Sequence, residues 1–121
     1  MSNIKQTLED LMKIEGAISA CVVDFKSGLA LGSIGGGQLL NIEIAAAGNS
    51  EVVRSKMKVM AQLGLKDKIE DILITLNTQY HIVRPLTNHS NLFIYMALTR
   101  ANANLALARY KIQELEGAMT V

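Results

Sequence analysis

The sequence predicts a single α/β domain of the α+β type, with a five-stranded, mostly antiparallel sheet sandwiched by helices. Half of the 121 residues are hydrophobic and 19% are charged, which is enough apolar material for one packed core. Apolar spacing changes between the helical and the strand period along the chain, in the order α-β-β-α-β-β-β-α. Consecutive predicted strands are joined by short turns, which favours antiparallel pairing.

The first predicted element is a helix over residues 3–14. Its apolar side chains share one face: Ile4, Leu8, Leu11 and Met12. Asn3 can cap this helix, and Gln6 resembles the second member of a capping box. Gly16 is expected to end it.

A hairpin is predicted next. Residues 17–24 are small and apolar on both faces, which is typical of a central strand. Residues 25–28 form the turn, and residues 29–34 form the second strand. The glycines at 35–37 break the strand pattern and predict a flexible loop.

The longest helix is predicted over residues 41–63. Asn41 is a good N-cap, and Glu43 opposes the positive end of the helix dipole. Gly64 is the expected stop, because glycine readily adopts the left-handed conformation that ends helices.

Three strands are predicted to follow, over residues 69–77, 79–86 and 92–99. Asn77 and Thr78 supply a tight link between the first two. Pro85 indicates that the second strand ends there or lacks a ladder bond at that point. The third strand is almost wholly apolar, which predicts a central position.

The last helix is predicted from about residue 101 to 116, with one stripe of Leu105, Ala108 and Ile112. The tail from Gly117 is expected to be loose. The domain is therefore expected to span residues 1–121, with a core at about 4–116.

The long helix has more apolar surface than a helix that covers one sheet needs. On a helical wheel one apolar band contains Ile42, Ala46, Val53, Met57 and Met60. An adjoining band contains Ala45, Val52, Val59 and Leu63, with Lys56 among the bands. One interpretation is a deeply buried helix within a monomer. The favoured interpretation is that the first band covers the sheet and the second pairs with a second subunit, since two-fold pairing of like helices hides such a surface.

The strand at 69–77 supports a homodimer. Ile72, Ile74 and Leu76 lie on one face. The charged residues Glu70 and Asp71, which discourage pairing of an edge, lie only at the start of the strand. If this strand lies at the sheet edge, pairing with its symmetry mate satisfies its free backbone groups. These three residues are therefore predicted to belong to the dimer interface.

Composition argues against several functions. The net charge is +1, there is no basic stripe and aromatics are few, so nucleic acid is not an expected partner. The longest uncharged stretch is interrupted by glycines and polar residues, so no membrane span or signal peptide is predicted. We therefore expect a cytoplasmic protein. The single Cys21 lies in an apolar run and is predicted to be a buried, inert thiol.

No catalytic, metal or cofactor site is predicted. The glycine-rich segment 32–37 follows a strand, but Gln38-Leu39-Leu40 follows it where a phosphate loop needs Gly-Lys-Ser/Thr, so a connector is preferred. His81 and His89 do not have metal-ligand spacing and are expected to be solvated or structural.

Several segments together resemble the roadblock / dynein light chain family. The run from Ile14 to Asp24, followed by Gly28-Leu29-Ala30, is similar to the opening of the family: a helix ending at glycine, an apolar strand and a turn. Residues 103–109 are similar to its closing helix, and Leu63-Gly64-Leu65 to an intermediate segment. The likeness covers roughly residues 4–116.

This resemblance implies a roadblock, profilin-like fold of the free-standing bacterial kind, and dimers formed through the long helix and the edge strand. It also implies a non-enzymatic regulator or scaffold that binds a Ras-like small GTPase, in some relatives stimulating GTP hydrolysis. Arg54 and Lys58 are candidate partner contacts, although both suit a solvated helix face. A pure assembly adaptor and a small-molecule sensor are the alternative functions.

Overall fold

The protein, described here by a computed structural model, is defined for residues 2–37 and 41–121. The elements follow the predicted order. They are α1 (Ile4–Leu11), β1 (Ala17–Asp24), β2 (Leu29–Gly35), α2 (Ile42–Gln62), β3 (Ile72–Thr75), β4 (Gln79–Pro85), β5 (Leu92–Thr99) and α3 (Leu105–Gly117).

The five strands form one antiparallel sheet in the order β2-β1-β5-β4-β3. The apolar strands β1 and β5 are central, as predicted, because both of their faces are covered. The sheet therefore has two edges among the described strands, β2 on one side and β3 on the other.

Alternate side chains of the central strands enter two separate cores. Ala20, Val22 and Ile94 pack with α1 and α3 on one face, whereas Cys21, Val23 and Tyr95 pack with α2 on the other. This alternation is the period of two that a strand imposes on its side chains. The sheet is thus sandwiched, and among the described helices α2 is the one that covers this second face.

The first helix is shorter than the predicted 3–14, because it ends at Leu11. The Asn3 side chain accepts a hydrogen bond from the Gln6 backbone N–H at 2.8 Å, so the predicted cap is confirmed. The capping box is not formed, since the Gln6 side chain donates to the Asp10 carboxylate instead.

The predicted cap at Asn41 and the predicted stop at Gly64 are both confirmed for α2. The Asn41 side chain accepts from the Ile44 N–H at 3.1 Å. At the other end Gly64 has φ +71°. The Leu65 N–H donates to the Met60 carbonyl and the Gly64 N–H to the Ala61 carbonyl, which together make a Schellman motif. The helix is therefore stopped by backbone geometry that glycine adopts without strain.

The third strand is four residues long, and the prediction of 69–77 is wrong at both ends. Continuing the observed register would place Glu70 opposite Pro85, which has no N–H to donate. At the other end the Leu76 N–H donates to the Gln79 carbonyl and closes the predicted two-residue turn. Leu76 consequently lies outside β3.

The C-terminal tail is packed, in contrast to the prediction that it is loose. Met119 is only 2% exposed and belongs to the core under α1 and α3. The Ser2 N–H donates to the Ala118 carbonyl and the Thr120 N–H to the Ser2 carbonyl. The helix before it also begins later than predicted, at Leu105, since Asn104 caps it.

The glycine-rich segment is mostly strand. Gly32 and Gly35 both lie in β2, so the predicted loop at 35–37 starts one residue later. A side chain at Gly32 would approach Ile4 and Leu8 to 3.0 and 3.2 Å, so this glycine lets α1 sit on the sheet. Gln38, Leu39 and Leu40, which weighed against a phosphate loop, lie outside the described residues.

Candidate protein–protein interface

The sheet-facing side of α2 is the first of its two apolar bands. Ala46 and Val53 are fully buried against the sheet, and Ile42 and Met57 pack beside them. Ser50 also lies on this side, and its hydroxyl is satisfied by donating to the Ala46 carbonyl at 2.7 Å. Packing on this band fixes how α2 is rotated on the sheet.

The second band is left largely uncovered by that rotation. Val52 is 37% exposed, Val59 42% and Leu63 65%. Lys56 is also exposed, between the two bands. Ala45 is the exception within the predicted band, since it is half-buried and packs against the core beneath α2. The second band therefore keeps three large aliphatic side chains in solvent, and Ile44, 71% exposed, adds another on the outer side of α2.

The edge strand β3 presents Ile72 and Ile74 on the same side of the sheet as α2, whereas Leu73 packs against the core on the other side. Ile72 pairs with Val83 and Ile74 with His81, both of which face α2. Ile72 and Ile74 are half-buried, whereas Leu76, beyond the strand, is 41% exposed. The shared face predicted for Ile72 and Ile74 is confirmed.

A cavity of about 510 Å³ lies between the exposed band of α2 and the β3 edge. It is lined by Val52 and Lys56 from the helix and by Ile72 from the strand, three of the predicted interface residues. Val59, Leu63, Ile74 and Leu76 do not line it. The exposed band of α2 and the β3 edge are thus separate but neighbouring apolar surfaces, with Lys56 between them.

Arg54 and Lys58, the two candidate partner contacts, differ in the interactions that they make within the chain. Arg54 donates to the Phe25 carbonyl in the β1–β2 turn and pairs with Glu51 at 2.8 Å. Its guanidinium therefore already links α2 to the turn. Lys58 is exposed and forms no ion pair with any described residue. Of the two, Lys58 has the freer charge.

Two ion pairs were not anticipated from the sequence. Glu116, 1% exposed, accepts from Arg84 at 3.0 Å and from the Thr87 hydroxyl at 2.7 Å. Asp71 receives two hydrogen bonds of 2.8 Å from Arg109. Both pairs join residues more than 30 positions apart, so no local pattern could reveal them.

The titratable core groups have structural roles. His81 is bracketed by the Tyr95 hydroxyl at 3.2 Å and the Gln79 side chain at 2.7 Å, and burial lowers its pKa. Cys21 is fully buried, and burial raises its pKa to about 12. The thiolate is therefore scarce at neutral pH, and the predicted burial of the thiol is confirmed.

Within residues 2–37 and 41–121 no group of acidic, histidine or cysteine side chains has the arrangement of a metal site. In the same ranges, no helix has both the length and the apolarity needed to cross a membrane.

Neither a protein-family model nor a curated protein sequence matches this chain. Solved structures do. Myxococcus xanthus MglB superposes with a TM-score of 0.82 at 15% identity, over 93% of this chain and 88% of that one. A Roadblock/LC7 domain from Streptomyces avermitilis gives a TM-score of 0.79 at 17% identity, over 95% and 92% of the two chains.

The chain has the Roadblock/LC7 fold. An MglB structure described as having a tetrameric arrangement also superposes with a TM-score of 0.79, at 14% identity over 95% of this chain and 83% of that one. At these identities the likeness is one of fold, and it agrees with the roadblock resemblance found in the sequence.

Proposed function

We propose that this protein is a non-enzymatic homodimer that binds a Ras-like small GTPase in the bacterial cytoplasm, as a regulator of GTP hydrolysis or as a scaffold. The observation that carries the proposal is the exposed band of Val52, Val59 and Leu63 on α2. Aliphatic side chains aligned on one helix face favour burial against another protein surface. The GTPase is suggested by the roadblock resemblance.

A second copy is the proposed cover for this band. In a two-fold dimer each α2 would lie against its symmetry mate, and each β3 edge would pair with the other β3. Ala45, Val52, Lys56, Val59 and Leu63 would form the helical part of the interface, and Ile72, Ile74 and Leu76 the strand part. The shortness of β3 leaves few backbone groups to pair, so the helices would supply most of the buried area.

The dimer is tested by placing a carboxylate in the band. We expect Val52→Glu and Val59→Glu to dissociate the dimer, because burying an unpaired charge costs several kcal/mol. Multi-angle light scattering after size-exclusion chromatography measures the mass. Lys58→Glu, on the charged side of the same helix, is the matched control and should remain dimeric. Dimers of unchanged stability in both glutamate variants would refute the proposed helix contact.

The GTPase is proposed to dock on the charged side of α2, with Lys58 and the tethered Arg54 as contacts. The test uses the Ras-like GTPase encoded nearest to this gene, loaded with GDP or with a non-hydrolysable GTP analogue. A regulator binds the two forms unequally, since only differential affinity shifts a conformational equilibrium. Equal affinity with an unchanged hydrolysis rate would instead identify an assembly adaptor, and absence of binding to either form would refute this partner.

A small-molecule sensor is the second candidate, and one observation favours it. A cavity of about 560 Å³ lies between the end of α2 and the β4–β5 turn, with Met57, Met60 and Leu86 among its apolar lining. Thr87 and Ser90 contribute polar groups to the same cavity. This volume lies within the usual range for small-ligand pockets. A screen of metabolites by thermal shift, with Met60→Trp as the filled-cavity control, would detect such a ligand.

A further inference from the structure

The edge of the sheet opposite β3 is formed by β2, which pairs only with β1 among the described strands. Its seven residues, Leu29–Gly35, contain neither a charge nor a proline, which are two of the features with which natural proteins protect a sheet edge. Leu29 is 67% exposed and Leu31 47%. The backbone of this edge is therefore available to another strand.

A groove flanks this edge on each face of the sheet. On the α1 side a cavity of about 440 Å³ is lined by Ile4, Leu8, Leu31 and Ile34 together with Lys5 and Glu9. On the α2 side a cavity of about 1020 Å³ is lined by Leu29, Ala30, Ile44 and Ala47, with the charged residues Glu43, Glu51 and Arg54 at its wall. Successive side chains of a strand added here would point alternately into the two grooves.

We propose that β2 is a docking edge for an extended segment of another protein, apolar at alternate positions and basic where it faces α2. Backbone hydrogen bonds to β2 would provide much of the affinity, and the two grooves would select the side chains. This surface lies at the opposite edge of the sheet from the proposed dimer contact, so one dimer would present two such edges.

Charge favours a basic segment of another protein over a second copy of this chain. Glu51 is paired with Arg54, but Glu43 forms no ion pair with the described residues. The β2 strand of a second copy carries no charge and would leave Glu43 unmatched, whereas a lysine in the added segment would pair with it.

The geometry of the edge supports the same choice. Val22 pairs with Gly32 and Val23 with Ala30, so Leu31 is an extra residue in a β-bulge. Bulges interrupt the ladder and are a device against pairing between like edges. Two copies of β2 would each bring this interruption, whereas a different strand can align with the regular stretch from Gly32 to Ile34, which ends before Gly35 at φ +78°.

The test uses a fluorescent peptide, acetyl-KTVTVTK-amide, and two control peptides. One control has glutamate in place of both lysines, and the other is N-methylated at alternate amides so that it cannot join a ladder. We expect the first peptide to bind with a dissociation constant below about 1 mM by fluorescence anisotropy, and both controls to bind at least about tenfold more weakly. Amide hydrogen exchange should slow at Gly32–Gly35 and not in β3.

Variants of the chain test the contribution of the Glu43 charge to binding separately from that of the β2 backbone. Glu43→Gln should weaken binding of the lysine peptide about twofold to fivefold, the usual range for an exposed ion pair. Glu114→Gln, which changes an acid on α3, is the matched control and should leave the affinity unchanged.

Three results would overturn the proposal. One is equal binding of the N-methylated peptide, because it would show that no strand is added. Another is slowed exchange at Ile72–Thr75 alone, which would place the peptide on the other edge. The third is protection of Gly32–Gly35 from exchange that increases with protein concentration in the absence of peptide. This result would identify a second copy as the occupant. The GTPase measurements are independent of all three.

Discussion

At the scale of single residues, the buried Arg84–Glu116 ion pair depends on residues that lie far apart in the chain. The Arg84–Glu116 pair joins the end of β4 to α3. The N–H and the hydroxyl of Thr87 donate hydrogen bonds to the same carboxylate. His81 is held between Tyr95 and Gln79 on the face that α2 covers. Such groups tolerate burial only while their partners remain, so they give sharp predictions.

We predict that Glu116→Gln lowers the free energy of unfolding by about 3 kcal/mol, because it leaves the Arg84 charge buried without a counter-charge. Urea denaturation followed by circular dichroism measures this. The double variant Arg84→Met/Glu116→Leu should recover most of the loss, since both charges are removed together. Glu114→Gln, in an exposed pair with Lys111, should cost less than about 0.5 kcal/mol. A loss for Glu116→Gln as small as that of Glu114→Gln would contradict the prediction.

We predict that His81 makes the protein less stable as the pH falls. Burial lowers the pKa of His81 in the folded chain below the value of 6.5 that it has when unfolded. Below pH 6.5 the unfolded chain therefore binds more protons, and stability decreases by at most about 1.4 kcal/mol per pH unit. Above pH 6.5 this contribution is fully present.

The measurement is urea denaturation at several pH values between 8 and 5.5. A His81→Gln variant should show a shallower decrease between pH 6.5 and 5.5, while a His89→Gln variant, altered in the β4–β5 turn, is the matched control. Equal slopes in the wild-type protein and the His81→Gln variant would exclude His81 as the cause.

At the scale of elements, the ends of α2 were predictable, whereas the ends of β3 were not. Asn41 starts α2 and Gly64 ends it through interactions with residues a few positions away, which can be recognised in the sequence. The limits of β3 depend on its neighbour, because Pro85 of β4 removes a donor opposite the expected continuation. The exposed band of α2 also belongs to this scale, since it follows from the rotation of the whole helix on the sheet.

We predict that Gly64→Ala lowers the free energy of unfolding by about 1 kcal/mol, because φ at this position is +71° and an alanine there is strained. No atom lies near enough to clash with the added methyl group, so the effect is conformational. Gln62→Ala, in the last turn of α2, is the matched control and should change stability by less than about 0.5 kcal/mol. Thermal and urea unfolding measure both variants, and equal stability would argue against the Schellman stop.

At the scale of the whole molecule, the two ends of the described chain close on each other. Ser2 and Met119 form a parallel bridge, and Met119 fills the core between α1 and α3. The sheet spans the molecule from β2 to β3, and the two edges are proposed to serve different partners. A dimer through β3 leaves β2 at the outer ends of the assembly.

We predict that Met119→Ala lowers the free energy of unfolding by about 2 to 4 kcal/mol, because it leaves a cavity in the core. Val121→Ala is the matched control. Its side chain is 70% exposed, so its removal should cost less than about 0.5 kcal/mol. Urea denaturation distinguishes the two, and similar small losses would mean that the tail does not contribute to the core.

The amino-acid sequence by itself determined the order of the elements, the central positions of β1 and β5, the caps of α2 and the burial of Cys21. These depend on periodicity, on apolar runs and on capping residues within a few positions, which are local properties of a chain. The two apolar bands of α2 were also visible, because a helix has a fixed period.

Only the tertiary structure decided the rest: the length of β3, the packing of Met119, the bulge at Leu31 and the Arg84–Glu116 and Asp71–Arg109 pairs. Each depends on residues brought together from distant parts of the chain or on the register between strands. It also decided how far the second band of α2 is exposed, because that exposure depends on the rotation of the helix on the sheet.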